Sequence, residues 1–356
     1  MRRLCAAVLL LAWLALPAAA GVLRIATFNT ELARKGPGLL LRGILRGEDA
    51  QIAAVVAVIR AVRPDILLLQ GFDWDLDQVA LTAFRDRLAA DGGPLFPYLY
   101  APRPNSGVAT GLDMDGNGRL NEPRDAQGYG RFTGQGGMAL LSSLPIDLAA
   151  ARDFSAFPWR DLPGALLPQK GGVPFPSAEA QAAQRLSSAG HWDVPVILPD
   201  GSRLHLLAFH ATPPVFDGPE DLNGRRNHDE IMFWPLLLDG TLPFAPPGGP
   251  LVLLGDANQD PVDGEGLKDA IRALLTDSRL SDPAPTSPGA AALGDATDTV
   301  DWDDPTPGNL RVDYVLPGHG LRVVGSGVWW PAPGTPEADT AAAASRHRLV
   351  WADIQF

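Results

Sequence analysis

The chain has 356 residues, of which 46% are hydrophobic, and its 41 acidic against 29 basic residues give a formal net charge of -12 at pH 7. A hydrophobic fraction of this size is ample for a packed core. The composition lacks the basic excess with which proteins that follow a nucleic-acid backbone neutralise phosphates. Duplex DNA is therefore disfavoured as a partner, although a local basic patch would escape this average.

The N-terminus has the pattern of an export signal. Two arginines precede an apolar stretch from Leu4 to Leu16, and small residues follow it. The stretch is shorter than the roughly 20 residues that a membrane-spanning helix needs, and nothing later is long and apolar enough to insert stably. We predict a signal peptide over 1–20, one folded domain over 21–356, a monomeric protein, and a secreted or periplasmic location. The single cysteine, Cys5, would leave with the signal, so no disulfide is expected.

Apolar periodicity predicts that strands and helices alternate in the first part of the mature chain. The predicted elements are a strand over Leu23–Asn29, a helix over Ala50–Val62, a strand over Asp65–Gln70 and a helix over Leu76–Ala89. The second strand is apolar throughout, as expected where both faces of a sheet are covered. This order indicates an α/β protein.

Further strands are predicted downstream, separated by loops rich in proline and glycine. The strands are Gly137–Ser142, Leu204–His210, Leu251–Asp256, Leu310–Leu316 and Leu349–Ile354, and the main loops are 155–180, 240–250 and 281–309. The chain contains 34 prolines and 38 glycines, which favours long loops on a rigid sheet framework.

Polar residues gather at the ends of these apolar strands. Strands of one sheet end on a common edge, so such residues can converge although they are distant in sequence. A histidine held by a carboxylate can move protons, and asparagine and histidine can bind the charge that grows on a phosphate oxygen. Carboxylates can also hold Mg²⁺ or Mn²⁺. The residues concerned are Asn29, Gln70, His210, Asp256, Asn258, Asp313 and His347.

The order of the short motifs resembles the endonuclease/exonuclease/phosphatase superfamily, which has the DNase-I-like fold. The matching segments are Ile25–Asn29, Pro64–Gln70, Gly136–Ser142 with Pro145-Ile146, Phe209-His210, Gly255–Asn258, Arg311–Leu316 and Ser345–His347. Together they span nearly all of the mature chain. The resemblance implies an α/β fold, a two-sheet sandwich flanked by helices, and a phosphodiesterase, nuclease or phosphatase that uses a metal-activated water with Mg²⁺ or Mn²⁺.

The resemblance also implies catalytic roles at individual positions. Asp256 would position or activate the attacking water, and His210 would stabilise the transition state. His347 would be the acid–base histidine, and Asp313 would fix its tautomer and orientation. Asn258 would act beside them in the catalytic set.

Phosphate and metal contacts are implied at the same edge. Asn29 and Asn258 would bind the phosphate or organise the metal shell, and Asp256 would share in that shell. Two positions depart from the family pattern. The family follows the strand-end glutamine with its principal metal-binding glutamate, where this chain has Gly71, and its Ser-Asp-His contains Arg346 in place of aspartate. Loss of two carboxylates should weaken a divalent metal site, because ligand charge supplies much of the affinity.

Three interpretations of these departures stay open. A nearby carboxylate replaces the missing ligand, with Asp73 as first choice and Asp75 and Glu31 as the others. Arg346 instead binds the phosphate bidentately, with less demand for metal. In the third, catalysis is lost and the exported protein only binds a phosphate ligand. An adhesion module that uses the long loops is a further class, which predicts that removing the His347 side chain changes nothing measurable.

A loop outside the family pattern resembles the start of a calcium-binding loop. Asp113, Asp115 and Asn117 carry side-chain oxygens at alternate positions, and a glycine follows at the sixth position. The twelfth position is Arg124 rather than glutamate, so a complete EF-hand is not expected. The loop predicts either a structural calcium site or a polar surface loop.

A charged run, Asp221–Glu230, precedes a helical pattern over Ile231–Leu238. Its arginine pair, of which Arg226 is the second member, predicts a contact with substrate phosphate. The alternative is that the run is the solvated start of a helix.

Overall fold

A computed structural model describes residues 21–303 and 306–356; the predicted signal peptide lies outside the described residues. The strands are β1 (Val22–Asn29), β2 (Ile66–Phe72), β3 (Tyr98–Tyr100), β4 (Gly137–Ser142), β5 (Arg152–Asp153), β6 (Gln169–Lys170), β7 (Val173–Pro174), β8 (His191–Ile197), β9 (Arg203–His210), β10 (Leu251–Asp256), β11 (Asp313–Pro317), β12 (Arg322–Val328) and β13 (Val350–Gln355). The α-helices are α1 (Leu39–Arg46), α2 (Ala50–Val62), α3 (Val79–Ala90), α4 (Ala178–Ala183), α5 (Leu222–Leu238), α6 (Asp269–Leu275), α7 (Pro288–Leu293) and α8 (Pro336–Ala344).

Two mixed sheets form the framework. A six-stranded sheet has the order β12-β13-β1-β2-β4-β3, and a five-stranded sheet has the order β11-β10-β9-β8-β5. Each sheet contains one parallel pair near its centre, β1 with β2 and β9 with β10, while the other neighbours are antiparallel. A separate hairpin joins β6 and β7.

The sheets pack face to face, and helices cover their outer faces. Side chains from both sheets, including Ile25 and Leu68 of one and Val194 and Leu254 of the other, form one buried cluster. Helices α2 and α3 pack on the outer face of the six-stranded sheet, and α5 and α6 pack on that of the five-stranded sheet. The predicted two-sheet α/β sandwich flanked by helices is confirmed.

Local signals explain why the early elements agree with the sequence. Helix α2 begins at the predicted residue because the Asp49 side chain accepts a hydrogen bond from the Ile52 amide at its N-terminus. It ends where Arg63 adopts a left-handed conformation before proline. Strand β2 is buried at every position, which accounts for its unbroken apolar run.

Some elements differ from the sequence prediction. The predicted helix over Leu76–Ala89 is interrupted by positive φ angles at Asp77 and Gln78, so α3 begins only at Val79. The Asp75 carboxylate caps the N-terminus of α3, because it accepts hydrogen bonds from the amides of Val79 and Ala80. The strand predicted from Leu310 begins at Asp313, because the preceding residues leave the ladder and make only an isolated bridge.

Several elements were not predicted from the sequence. These include strand β8, which lies beside the edge strand β5 of the five-stranded sheet, strand β12, and helices α1 and α8. In the described part of the chain, no helix is both long and apolar enough to cross a bilayer.

Candidate active site

The site lies where the carboxyl ends of the central parallel strands of both sheets meet. Asn29 is the last residue of β1, His210 ends β9 and Asp256 ends β10. Asp313 opens β11 directly opposite Asp256 in the antiparallel ladder. The two sheets are joined here by a side-chain hydrogen bond, in which Nδ2 of Asn29 donates to Oδ2 of Asp256 over 2.9 Å. The predicted convergence of strand-end residues is therefore observed.

His347 and Asp313 form a buried pair. Nδ1 of His347 lies 2.9 Å from Oδ2 of Asp313 and 3.9 Å from the nearer oxygen of Asp256. The same Asp313 oxygen accepts a hydrogen bond from the Thr299 hydroxyl over 3.0 Å. Because Nδ1 is engaged, Nε2 is the ring atom left for a ligand, and it lies 3.5 Å from Nδ2 of Asn29. This geometry fixes the orientation of the imidazole.

The charge state of His347 follows from its neighbours. Burial opposes a charged imidazole, but the carboxylates of Asp313 and Asp256 outweigh it and raise the pKa of His347 to about 9. At neutral pH the ring is therefore an imidazolium held between two carboxylates. A group of this kind can donate a proton or stabilise an anion.

Asp256 contacts several of the other residues of the site. Its Oδ1 accepts the Asn258 amide over 2.8 Å, and its Oδ2, which binds Asn29, lies 3.4 Å from Nε2 of His210. The Asn258 side chain donates to the Ala211 carbonyl over 2.9 Å, so it fixes the turn after β10. These contacts hold the carboxylate in one position.

His210 is the neutral histidine of the site. Burial lowers its pKa, against the opposing effect of the Asp256 carboxylate, and the nearby His347 lowers it further. Its Nδ1 is buried and has no hydrogen-bond partner within the described residues. Oδ1 of Asp313 is likewise buried and unpaired there. Buried polar atoms without partners are uncommon, and two of those in the described residues lie at this site.

Gly71 leaves no room for the family's glutamate. Its φ angle is +65°, and a Cβ atom would lie 2.5 Å from Oδ1 of Asn29 and 2.9 Å from the backbone nitrogen of Glu31. Any side chain would therefore be strained and would collide with fixed atoms. The pairing of β2 with β4 shifts register between Leu69 and Phe72, around the same position.

Glu31 and Arg346 form an ion pair beside Gly71. Oε2 of Glu31 accepts the Arg346 amide over 2.8 Å and Oε1 accepts Nε over 2.9 Å; Nη2 donates to Oε1 as well. The Ser345 hydroxyl donates to Oε2 over 3.2 Å. Burial would raise the pKa of Glu31, but the hydrogen bonds from Arg346 outweigh it and lower that pKa. Glu31 is thus ionised and paired with the Arg346 guanidinium.

The residues at the family's metal position do not fit a divalent cation. The carboxylate of Glu31 is taken by Arg346, a cation stands where the family has an aspartate, and no side chain fits at Gly71. A different acidic cluster is present at the site, because Asp256, Asp313 and His347 carry ligand atoms within 4.8 Å of one another. In that cluster, Nδ1 of His347 is already hydrogen-bonded to Asp313, and Asp256 accepts bonds from Asn29 and Asn258.

Both oxygens of Asp73, the first choice for a replacement metal ligand, are engaged by backbone amides. One of its oxygens accepts the Arg34 amide over 2.8 Å and the other accepts the Gly136 amide over 2.9 Å. Burial raises the pKa of Asp73 against these two bonds. Both oxygens therefore anchor backbone near Arg34 and Gly136, and Asp73 shares no hydrogen bond with Asn29 or Asp256 among the described residues. The prediction that Asp73 is a metal ligand is not supported.

The prediction that Arg226 binds substrate phosphate is wrong. Arg226 is 5% exposed and lies inside α5. Its guanidinium donates to the backbone carbonyls of Gln127, Arg185, Leu186 and Ser187. The alternative of a solvated helix start is also wrong for this part of the run, because Asn227, Asp229 and Glu230 are buried as well.

The calcium-like loop is only partly as predicted. Asp113, Asp115 and Asp125 carry carboxylate oxygens within 4.8 Å of one another. The Asn117 side chain donates its amide to Asp115 and Glu122 instead of offering an oxygen inward. Asp113 accepts backbone amides of its own loop. The structural calcium site stays a prediction.

Two residues around the site were missed by sequence reasoning. Thr299 bonds Asp313, and the ring of Trp302 meets the His347 ring edge-on with centroids 5.6 Å apart. Both lie in the predicted loop 281–309, which carries no periodic pattern. The antiparallel bridge of Val300 with His347 brings this loop to the site. Nothing local in the sequence indicates that contact.

Comparison with solved structures supports the same fold. An endonuclease/exonuclease/phosphatase from Beutenbergia cavernae has 20% identity and a TM-score of 0.55, covering 94% of this chain and 72% of that chain. A family protein from Leptotrichia buccalis has 16% identity and a TM-score of 0.51, covering 94% and 100%. Sphingomyelinase C from Streptomyces griseocarneus has 18% identity and a TM-score of 0.50, covering 94% and 99%.

The sequence itself identifies the family. No curated protein matches the chain significantly. The sequence profile of the Endonuclease/Exonuclease/phosphatase family matches residues 26–347, which include every site residue from Asn29 to His347. Members of this family are generally metal-dependent phosphoric ester hydrolases. With the sandwich fold and the strand-end site on the same residues, the chain belongs to the Endonuclease/Exonuclease/phosphatase family.

Proposed function

We propose that this protein hydrolyses phosphate esters at the junction of its two sheets. The observation that carries the proposal is the buried cluster in which His347 lies beside both Asp313 and Asp256, and Asn29 donates to Asp256. It lies at positions that the family resemblance assigns to catalysis. A histidine oriented by a carboxylate beside a second fixed carboxylate suits a reaction that must both take up and deliver a proton.

The proposed step is attack of water on phosphorus. The water oxygen forms the new P–O bond while the ester P–O bond breaks. The Asp256 carboxylate positions the water and takes its proton, and the leaving oxygen receives a proton from Nε2 of His347. Asp313 keeps the imidazolium in the orientation that this transfer requires, and Nδ1 or Nε2 of His210 donates to a phosphate oxygen as negative charge develops.

The substrate class is a phosphodiester or a phosphomonoester. Sphingomyelinase C and the catalytic domain of human Nocturnin, the latter determined with bound sulfate, are among the structures with this fold. At 18% and 14% identity they support the fold and do not select a substrate. The net charge of -12 argues against duplex DNA. Small phosphate esters are therefore the first substrates to test.

The decisive measurement is turnover of bis(p-nitrophenyl) phosphate and p-nitrophenyl phosphate by the purified protein. Wild type is compared with His347→Gln under EDTA and then with added Mg²⁺ or Mn²⁺. We expect turnover of at least one ester and its loss in the variant. A well-folded wild-type protein that turns over neither ester with any addition would contradict the proposal.

The competing function is binding of a phosphate ligand without turnover. The departures at Gly71 and Arg346 favour it, because they remove the family's metal-binding carboxylates. Retained affinity for inorganic phosphate with no hydrolysis of either ester would decide for this function. The family implies dependence on Mg²⁺ or Mn²⁺, and the comparison of EDTA with added metal tests it.

We also propose that the protein acts outside the cytoplasm, on the strength of the N-terminal signal pattern. Expression of the full chain in a bacterial host, followed by fractionation and N-terminal sequencing, tests this. We expect recovery from the periplasm or medium with Gly21 as the first residue. Retention in the cytoplasm with an intact Met1 terminus would refute export.

A further inference from the structure

Gly71, Glu31 and Arg346 form one packed corner of the site. The Glu31 backbone occupies the space into which a side chain at position 71 would project. Glu31 itself has a φ angle of +48°, a conformation that only a few per cent of non-glycine residues adopt. Its carboxylate is thereby brought to Arg346. The conformation of Glu31 and a glutamate at position 71 exclude each other.

The arrangement puts a cation at the sequence position where the family has an aspartate. Arg346 directly precedes His347, the proposed acid, and Glu31 is two residues beyond Asn29. The Glu31 side chain is 25% exposed and that of Arg346 is 64% exposed. The anion of the pair is thus the less exposed member, and the cation faces solvent.

The guanidinium keeps donors for a ligand. Glu31 takes Nε and Nη2 through a single oxygen, Oε1. Nη1 of Arg346 makes no hydrogen bond with any residue in the described ranges 21–303 and 306–356. A planar guanidinium with free N–H groups binds phosphate oxygens with short, charge-assisted bonds. Since Glu31 holds the other edge, little side-chain freedom remains to be lost on binding.

We infer that Arg346, held by Glu31, binds the substrate phosphate in place of the family's divalent cation, so that ester hydrolysis here proceeds without a metal ion. The inference rests on the proposed function for the hydrolytic step. Its binding part, recognition of a phosphate by Arg346, does not depend on turnover. The charge that neutralises the phosphate oxygens then comes from Arg346 and the His347 imidazolium.

The binding test measures the affinity of inorganic phosphate in EDTA by isothermal titration calorimetry. Arg346→Gln removes the charge and should weaken binding about 10- to 100-fold, the effect of losing a charge-assisted hydrogen bond. Arg203→Gln is the matched control, because Arg203 is also an exposed arginine paired with one carboxylate, Asp147, but lies at the opposite end of β9 from His210. We expect the control to bind phosphate like wild type. Circular dichroism and thermal unfolding verify that each variant is folded.

The metal test measures turnover of the more reactive ester in EDTA and with Mg²⁺ or Mn²⁺. We expect wild-type turnover to persist in EDTA and to change less than about twofold on metal addition, and Arg346→Gln to lower it at least as much as it lowers phosphate affinity. Arg346→Asp places a second carboxylate beside Glu31 and should abolish turnover in EDTA. It should also create Mn²⁺ binding that titration calorimetry detects and wild type lacks.

The outcomes separate this inference from the proposed function. Turnover that requires added Mg²⁺ or Mn²⁺ overturns the inference and leaves the function standing. Phosphate affinity equal in wild type and Arg346→Gln also overturns it. Absence of all turnover, together with phosphate affinity that depends on Arg346, overturns the function and upholds the binding role. Absence of both turnover and phosphate binding overturns the two together.

Discussion

Two buried histidines in this protein have opposite properties. His191 lies at the start of β8 beside Ser187 and the Glu230 carbonyl, and burial lowers its pKa to about 4. His347 is equally buried, but the carboxylates of Asp313 and Asp256 raise its pKa to about 9. The difference comes from neighbours and not from exposure. A buried histidine gains charge only where carboxylates surround it.

The arginines and glutamates around these histidines differ in the same way. Arg226 directs its donors to backbone carbonyls, and Glu230 accepts the amides of Ser188 and Thr212. Arg346 instead faces solvent with donors free of partners in the described residues. The first network stabilises the fold, and the second retains binding capacity. Both networks contain an arginine and a glutamate. What distinguishes the candidate active site is that some of its hydrogen-bond donors have no partner among the described residues.

The largest expected effect concerns the orientation of His347. Asp313→Asn keeps the size of the side chain but removes the charge that stabilises the imidazolium. We expect the rate of ester hydrolysis to fall about 10²- to 10⁴-fold, the range for loss of acid–base catalysis. Steady-state kinetics measures this, with thermal unfolding as a check on folding. A rate within threefold of wild type would show that the pair is not catalytic.

Disrupting the hydrogen-bond network around Arg226 should lower the stability of the fold. Arg226→Met leaves several buried carbonyls unpaired and removes the positive charge that favours the buried Glu230 carboxylate, so we expect the free energy of unfolding to fall by about 3–5 kcal/mol. Urea unfolding followed by tryptophan fluorescence measures it, and Arg203→Gln, on the surface, should give no measurable change. If Arg226→Met weakened phosphate binding while leaving stability intact, the structural role would be contradicted.

Lowering the pH should destabilise the fold through protonation of His191. Because the pKa of folded His191 is about 4 against 6.5 for an ordinary histidine, the unfolded chain takes up the proton first as pH falls. The contribution of neutral His191 is present above pH 6.5 and is lost as pH falls towards 4, by about 1.4 kcal/mol per pH unit. Urea unfolding at pH 7, 6 and 5 measures the slope. His191→Gln should reduce it; an unchanged slope would assign it to other groups.

A smaller effect is expected from Asp73. Asp73→Asn retains one acceptor oxygen and loses the charge that strengthens the bonds to the Arg34 and Gly136 amides. We expect the free energy of unfolding to fall by about 1–2 kcal/mol. The response of turnover to Mg²⁺ and Mn²⁺ should match that of wild type. A selective loss of metal response would restore Asp73 as a ligand and break the contrast between the two networks.

Much of the fold could be predicted from local patterns. Helix α2 and strands β4 and β10 have the predicted bounds, because apolar spacing, a capping aspartate and a following proline act within a few residues. The predicted strand ends also brought Asn29, His210 and Asp256 to one site, although Asn29 lies in a different sheet from the other two. What failed locally was β11, whose first predicted residues leave the ladder, and the kinked start of α3.

The sequence alone determined the family pattern, the strand-end site and the absence of a glutamate after Gln70. Tertiary structure decided which charged side chains have their hydrogen-bonding groups occupied within the fold. Arg226 and Arg346 are the same residue type, and nothing in their local sequence distinguishes their roles. Backbone carbonyls of residues 127 and 185–187 surround the Arg226 side chain, whereas Glu31 holds that of Arg346 at the surface. Those partners lie up to 315 residues away along the chain. Hydrogen-bond satisfaction depends on such distant contacts, and no local pattern encodes them.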